Sequence, residues 1–165
     1  IPRREVGTVT EDLTHLNEQG EAHMVDVSDK DVTHREAVAE AEVVMSRELA
    51  EMFFGGDLPK GDAPAVARVA GIMAAKKTHE LIPLCHPLPI NAVEVQLEPT
   101  GQGIRVLARV STDSRTGVEM EALTAASITA LTIYDMVKGI ERHVEISKTR
   151  LLKKSGGRSG SWERD

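Results

Sequence analysis

REAVAEAEVVM, residues 35–45, admits two readings with different folds behind them. Its alanines and glutamates are good helix formers. Against that, Ala37, Ala39, Ala41, Val43 and Met45 alternate with Glu36, Val38, Glu40, Glu42 and Val44. Alternation with period two is the pattern of a half-buried strand, in which successive side chains take opposite faces. We read a strand here, and the rest of the chain is organised around it.

Downstream, SRELAEMFF (46–54) reads as a short helix stopped by Gly55 and Gly56. KGDAPAVARVAGIMAAKKTHEL (60–81) is a clearer helix: Asp62 suits the N-cap, Pro64 the first turn, and Pro83 ends it. NAVEVQLEP (91–99) and IRVLARVST (104–112), joined by TGQG, read as a hairpin. The longest helix runs from about Val118 to Lys138 with Gly139 as its stop, and HVEISKTRLL (143–152) alternates as a last strand. Upstream, AHMVDV (22–27) is a short strand candidate. The order strand, helix, strand, strand, helix, strand predicts an α+β, ferredoxin-like fold. That is an antiparallel four-stranded sheet with helices packed on one face, plus a short N-terminal strand and an extra helix. We expect a flexible N-terminal segment over 1–12, a single domain over 13–154 and a glycine-rich mobile tail over 155–165.

Composition narrows the function. A chain of 165 residues is long enough for one domain with a real core. Its net charge of −6 argues against general affinity for nucleic acid, which needs a basic face to displace counterions. Aromatic residues at 2% leave no platform for stacking single-stranded bases. The lone Cys85 permits no internal disulfide and suggests a reducing compartment. No stretch approaches the roughly 18 apolar residues of a membrane span, and IPRREVGTVTED lacks the apolar run of a signal peptide. We expect a soluble cytoplasmic protein with neither a membrane nor a nucleic acid as partner.

Five stretches carry chemistry-bearing residues. LIPLCHPLP sets His86 between Pro83 and Pro87 on a stiff connection. Rigid placement suits a ligand-contacting or proton-transferring histidine, or one that caps a loop. The six histidines are scattered and one cysteine cannot anchor a zinc ribbon, so no metal site assembles. In TGVEMEALTAASITALTIYDMVKG, helical spacing of about 100° per residue puts Glu121, Thr124, Ile128, Leu131, Asp135 and Lys138 on one stripe. Its middle reads as core-like and its ends are ionisable. Asp135 and Lys138 are either a solvated salt bridge at a helix end or a functional pair. The small residues Ala122, Ala125, Ala126, Ser127 and Ala130 indicate that another backbone comes close, in the same chain or in a partner. PKGDAP puts Lys60 just before a helix N-terminus, where an anion is favoured, though a solvated lysine also fits. KTRLLKKSGGRSG gathers Lys148, Arg150, Lys153, Lys154 and Arg158 around a glycine pair. It lacks the GxxxxGK[ST] pattern, and both a basic tail and a phosphate contact suit it. Arg35, at the start of the first long strand, is the fifth candidate.

Together these strings resemble the molybdenum cofactor biosynthesis protein C family. The likeness runs from about LTHLNEQGEAHMVDVS (13–28) to KSGGRSG (154–160) and is carried by LIPLCHPL, RTGVEMEALTAAS, ALTIYDM and KSGGRSG. Two small departures occur. Arg115 stands where the family often has lysine before TGVEMEAL, and Val137 replaces a common cysteine after YDM.

The resemblance implies a lyase acting on 3',8-cyclo-7,8-dihydro-GTP, the cyclised product of a preceding radical enzyme. The ring system is opened and reclosed to a pyranopterin while a ribose hydroxyl attacks the α-phosphorus and pyrophosphate leaves. Such chemistry needs proton donors and acceptors near the base and cations around the triphosphate. Asp135 and Lys138 match the family's catalytic pair, with Lys138 as general acid/base and Asp135 orienting it or accepting a proton. Leu84, Cys85 and His86 match one substrate-binding segment, and Met120 and Glu121 another, with Glu119 in support. Lys60, Arg35 and Lys154 are the family-like cations. No cofactor is expected of the chain itself, and magnesium would enter only with the triphosphate. The family also implies a homo-oligomer, a hexamer built as a trimer of dimers. Glu121 and Asp135 are 14 positions apart on one helix (121 to 135), or roughly 21 Å along its axis. If both touch one small substrate, they come from different subunits. Antiparallel pairing of this helix about a two-fold axis would then create two sites per dimer, with the alanine-rich face near the contact. The alternative from another class is a non-catalytic, ferredoxin-like sensor that binds a nucleotide without turnover.

Overall fold

A computed structural model describes residues 16–165. The expected flexible segment 1–12 lies outside those residues, as does the start of the domain expected from residue 13. Residues 35–45 do form a strand. β1 (Thr33–Val44) sits at the centre of the sheet, antiparallel to β3 (Gly103–Ser114) on one side and β4 (Glu145–Ser155) on the other. β2 (Ile90–Thr100) pairs with β3 as the expected hairpin, and the strand order is β2-β3-β1-β4-β5. The first four strands follow the ferredoxin-like order. The expectation of four strands falls one short, because Trp162–Glu163 forms β5 against Lys153 and Lys154. The segment expected as a tail therefore folds back onto the edge of the sheet, where a lone strand would leave backbone groups unpaired. AHMVDV forms no ladder strand either. Only Ala22 makes an isolated bridge, to Leu16, and the alternation of 22–27 is spent covering a loop.

The alternating set at 37–43 faces the core. Ala37, Ala39, Ala41 and Val43 are essentially fully buried and stand opposite Val110, Ala108, Val106 and Ile104 of β3, all buried as well. On the other face Glu40 is only 2% exposed, beneath Arg105 Nε at 2.8 Å and Arg150 Nε at 2.6 Å. Burial alone would raise its carboxyl pKa, but these hydrogen bonds hold it below the ordinary value.

Among the described residues, four helices cover the core face. α1 (Arg47–Gly55) is capped by the Ser46 hydroxyl, which accepts from Leu49 N–H at 3.2 Å, and ends at Gly56, whose φ of 80° needs glycine. α2 (Ala63–Lys76) begins on Asp62, whose carboxylate accepts from Ala65 N–H at 3.1 Å. The single helix expected over 60–81 is broken at Lys77, and a turn of helix, α3 (Thr78–Leu81), follows. The buried Thr78 hydroxyl donates to the carbonyls of Ala74 and Ala75 at 3.1 Å, satisfying the end of α2 and freeing the chain to turn. α4 (Glu119–Val137) is the longest helix and packs on α2 and on the sheet.

The stripe expected on α4 is not its core stripe. Leu131 is 54% exposed and Thr124 and Ile128 are half-buried, whereas Ala122, Ala125, Ala126, Thr129, Ala130 and Ile133 are completely buried. The alanine face is taken up by the same chain, packed against α2 and the sheet. Small side chains let α2 come close: a Cβ on Gly71 would collide with Thr129 Oγ1 and lie 3.2 Å from the Ala125 carbonyl. The outward side of the helical layer keeps Val66, Val69, Met73 and Leu131 exposed.

Candidate active site

α4 carries a chemically distinct cluster at each end. At its N-terminal end lies a cavity of about 420 Å³. One wall is Leu84, Cys85 and His86, another is Glu119, Met120 and Glu121, and Val25, Val27 and Lys30 close a third. The connection before β2 is stiffened at both ends. Cys85 N–H donates to the Ile82 carbonyl at 3.1 Å across Pro83, and the Thr112 hydroxyl donates to the Pro89 carbonyl at 2.6 Å. His86 Nε2 lies 2.8 Å from the Val25 carbonyl, which can only accept, so Nε2 carries a proton. His86 thus ties the 22–27 segment over the cavity while also lining it.

Glu121 is the unusual group of this cavity. It is 4% exposed, and burial pushes its carboxyl up to about 7, with the neighbouring Glu119 adding to the rise. A carboxyl held near neutrality can be a donor or an acceptor at physiological pH. Burial and the Glu121 carboxylate also raise the Cys85 thiol, which keeps it protonated and poorly nucleophilic. Glu119 folds back over Gly117 and receives Lys154 Nζ at 3.0 Å, so β4 supplies a cation to the cavity rim.

At the other end of α4, Lys60 and Lys138 converge on Asp135. Lys60 Nζ donates to the Asp135 main-chain carbonyl at 2.7 Å and to its carboxylate at 3.0 Å, and Lys138 Nζ reaches the other carboxylate oxygen at 2.8 Å. Hydrogen bonds from Lys138 and then Lys60 hold the Asp135 carboxyl below its usual value, and Asp135 in turn raises Lys138. Lys60 gets there because the α1–α2 loop returns its helix N-terminus beside the C-terminal carbonyls of α4. Asp135 is half-exposed, so the cluster is open to a ligand.

The residues picked from sequence thus fall into two groups. Leu84, Cys85, His86, Glu119, Met120 and Glu121 meet in one cavity with Lys154 at its rim; Lys60, Asp135 and Lys138 meet elsewhere. Arg35 joins neither directly. Its Nε donates to the Ser114 carbonyl at 3.0 Å and an Nη to the Arg115 carbonyl at 3.2 Å, beside a second hollow. Val25, Val27 and Lys30 were not singled out from sequence as site residues, and the structure adds them to the cavity wall. Among the described residues, no group of three or more His, Cys, Asp or Glu is placed to hold a metal ion, and no helix is long and apolar enough to cross a membrane.

The sequence profile of the MoaC family matches residues 24–157, which span both clusters. The chain belongs to the MoaC family. Individual relatives agree with that membership over nearly the whole chain. A protein of Thermomicrobium roseum named cyclic pyranopterin monophosphate synthase is 54% identical over 156 residues, covering 93% of this chain and 94% of the relative. One of Pelotomaculum thermopropionicum with the same name is 56% identical over 154 residues, covering 92% and 91%. A third, from Dinoroseobacter shibae, is 56% identical over 153 residues, covering 92% and 97%. For a MoaC family chain, the match takes in residues 24–27 of the cover, the proline-bounded connection and all of α4.

Proposed function

We propose that this chain is a cyclic pyranopterin monophosphate synthase, a lyase that converts 3',8-cyclo-7,8-dihydro-GTP to the cyclic pyranopterin monophosphate and releases pyrophosphate. The observation that carries the proposal is the pairing of two complementary clusters on one family-matched helix. One is a cavity walled by a near-neutral carboxyl, and the other is a lysine-aspartate-lysine group able to move protons. Leu84, Cys85, His86, Met120 and Glu121 bind the base-derived part of the substrate, with Glu119 supporting them. Lys138 enters protonated, because Asp135 raises it, and acts first as an acid; Asp135 orients it. Lys60, Arg35 and Lys154 offset the charge of the triphosphate, with magnesium accompanying it if bound.

The two clusters are separated by most of α4, so one site that uses both draws them from different subunits. The exposed Val66, Val69, Met73 and Leu131 support an assembly in which a partner covers the helical layer, in keeping with a hexamer of three dimers. A cytoplasmic setting agrees with the free, unpaired Cys85. A sensor that binds without turnover would need the cavity and its cations but not the Lys60, Asp135 and Lys138 group. Incubating the chain with the cyclised dihydro-GTP and assaying pyrophosphate and pterin separates the two readings. Formation of both products is expected; binding without either product leaves the sensor.

A further inference from the structure

The ladder between β1 and β4 slips by one residue near its end. Ala39 stands opposite Leu151, but Val38 stands opposite Lys153 and Ala37 opposite Lys154, so Leu152 is an extra residue in β4. One extra residue in one strand is a β-bulge, and it changes which side chains face each side of the sheet beyond it. An unbroken register would set Lys153 opposite Ala37, on the core face. The bulge sets Lys154 there instead, with its Nζ 3.0 Å from the Glu119 carboxylate, and leaves Lys153 exposed opposite Val38.

The bulge is clamped from outside by the last residues of the chain. Arg164 N–H donates to the Leu152 carbonyl at 2.8 Å, and Arg164 Nε donates to the Leu151 carbonyl at 2.7 Å. One residue thus takes both carbonyls at the point where the register slips. β5 is two residues long, too short to hold itself on the sheet edge by its own ladder. Trp162, the one tryptophan of the sequence, stands opposite Lys154, so the two side chains share a face. The Arg164 guanidinium carbon lies 5.4 Å from the centre of the indole ring, within cation–π range. The indole therefore braces the same arginine whose Nε holds the bulge.

We propose that Arg164, braced by Trp162, is a positioning residue: it holds the bulge at Leu152 and so selects Lys154 rather than Lys153 for the cavity rim. Arg164 lies outside the cavity wall and acts through the backbone of β4. The importance of that selection for turnover rests on the proposed function, in which Lys154 is one of the cations that meet the substrate.

Lysine acetylation of the full chain, followed by mass spectrometry, tests the selection without turnover. In wild type the exposed Lys153 should react faster than Lys154, which is half-buried and paired with Glu119. Arg164→Ala should raise the Lys154 rate about threefold to tenfold, toward that of Lys153. Trp162→Ala should do the same to a smaller extent, and Arg164→Lys should recover part of the difference. Arg47→Ala, on the exposed face of α1, should change nothing. Arg164 is exposed, so its variants should melt like wild type. An unchanged Lys154 rate in folded Arg164→Ala overturns the proposal and leaves the synthase reading standing. In turnover of the cyclised nucleotide, Arg164→Ala should raise KM more than it lowers kcat, and should add nothing to Lys154→Ala. An equal effect on KM with and without Lys154 would show that Arg164 does not act through that lysine, which also overturns the proposal. A raised Lys154 rate in a chain that releases no pyrophosphate from the nucleotide keeps the clamp and removes the synthase reading.

Discussion

Lys60 grips Asp135 twice, through its main-chain carbonyl at 2.7 Å and its carboxylate at 3.0 Å, although 75 positions separate them. The carboxylate is therefore held before any ligand arrives, with its other oxygen turned to Lys138. Lys138→Ala should melt at the temperature of wild type, since that side chain is half-exposed, and lose about 10²- to 10⁴-fold in turnover. Near-normal product formation by the folded variant removes Lys138 from the chemistry.

Glu121 makes stability depend on pH. Its carboxyl lies near 7 in the folded chain against an ordinary 4.5, so between those values the folded state keeps a proton that the unfolded state has released. Stability should be greatest below about 4.5 with respect to this group and erode as pH rises to about 7, by at most about 3 kcal/mol. Glu121→Gln should melt higher than wild type at pH 8 and near it at pH 5. An equal difference at both values would show that burial does not hold the proton.

Cys85 should be alkylated slowly at pH 7.5, because burial and Glu121 both keep the thiol protonated. The substrate should slow it further by filling the cavity. Identical labelling rates with and without substrate would take Cys85 out of the binding wall.

Mixing two inactive variants tests the shared site. Glu121→Gln and Lys138→Ala assemblies should each be weak, while co-assembled mixtures regain activity, because each mixed dimer has one site with both defects and one with neither. Verified mixed assemblies no more active than the separate variants would place both clusters' work within single subunits.

Gly71→Ala should destabilise the fold by about 1 to 3 kcal/mol, since the added methyl meets the Thr129 hydroxyl and the Ala125 carbonyl where α2 and α4 touch. Thermal melting checks this. Adding Thr129→Ala should recover part of the loss by removing the colliding oxygen.

How much of this was legible in the sequence depended on whether a residue's neighbours were local. The strict alternation over 37–43 carried the central strand, because a sheet face repeats every second residue whatever lies across it. Asp62, Pro64 and Gly56 mark helix ends for equally local reasons. AHMVDV misled because an extended segment covering a loop shows the same alternation as one in a ladder. The break at Lys77 was hidden because it depends on how the Thr78 hydroxyl is buried. On α4 the stripe through Leu131 looked internal, yet the sheet and α2 demanded the smaller alanine face. The motif strings led to both clusters, but Lys30 had no pattern of its own, and its place in the cavity wall comes from tertiary packing alone.

The alanine face of α4 has a consequence for insertions and deletions. Between Glu121 and Asp135 the helix is continuous, with its small residues fitted to the sheet and α2 throughout. One residue added in the middle would turn everything beyond it by about 100° and advance it by about 1.5 Å. Asp135 and Lys138 would swing away from Lys60, and bulkier neighbours would replace alanines at the tight crossing. The stretch from 121 to 135 should therefore tolerate substitutions on its outward side far better than any change in length, which makes the residue count of this helix as much a part of the site as the side chains at its ends.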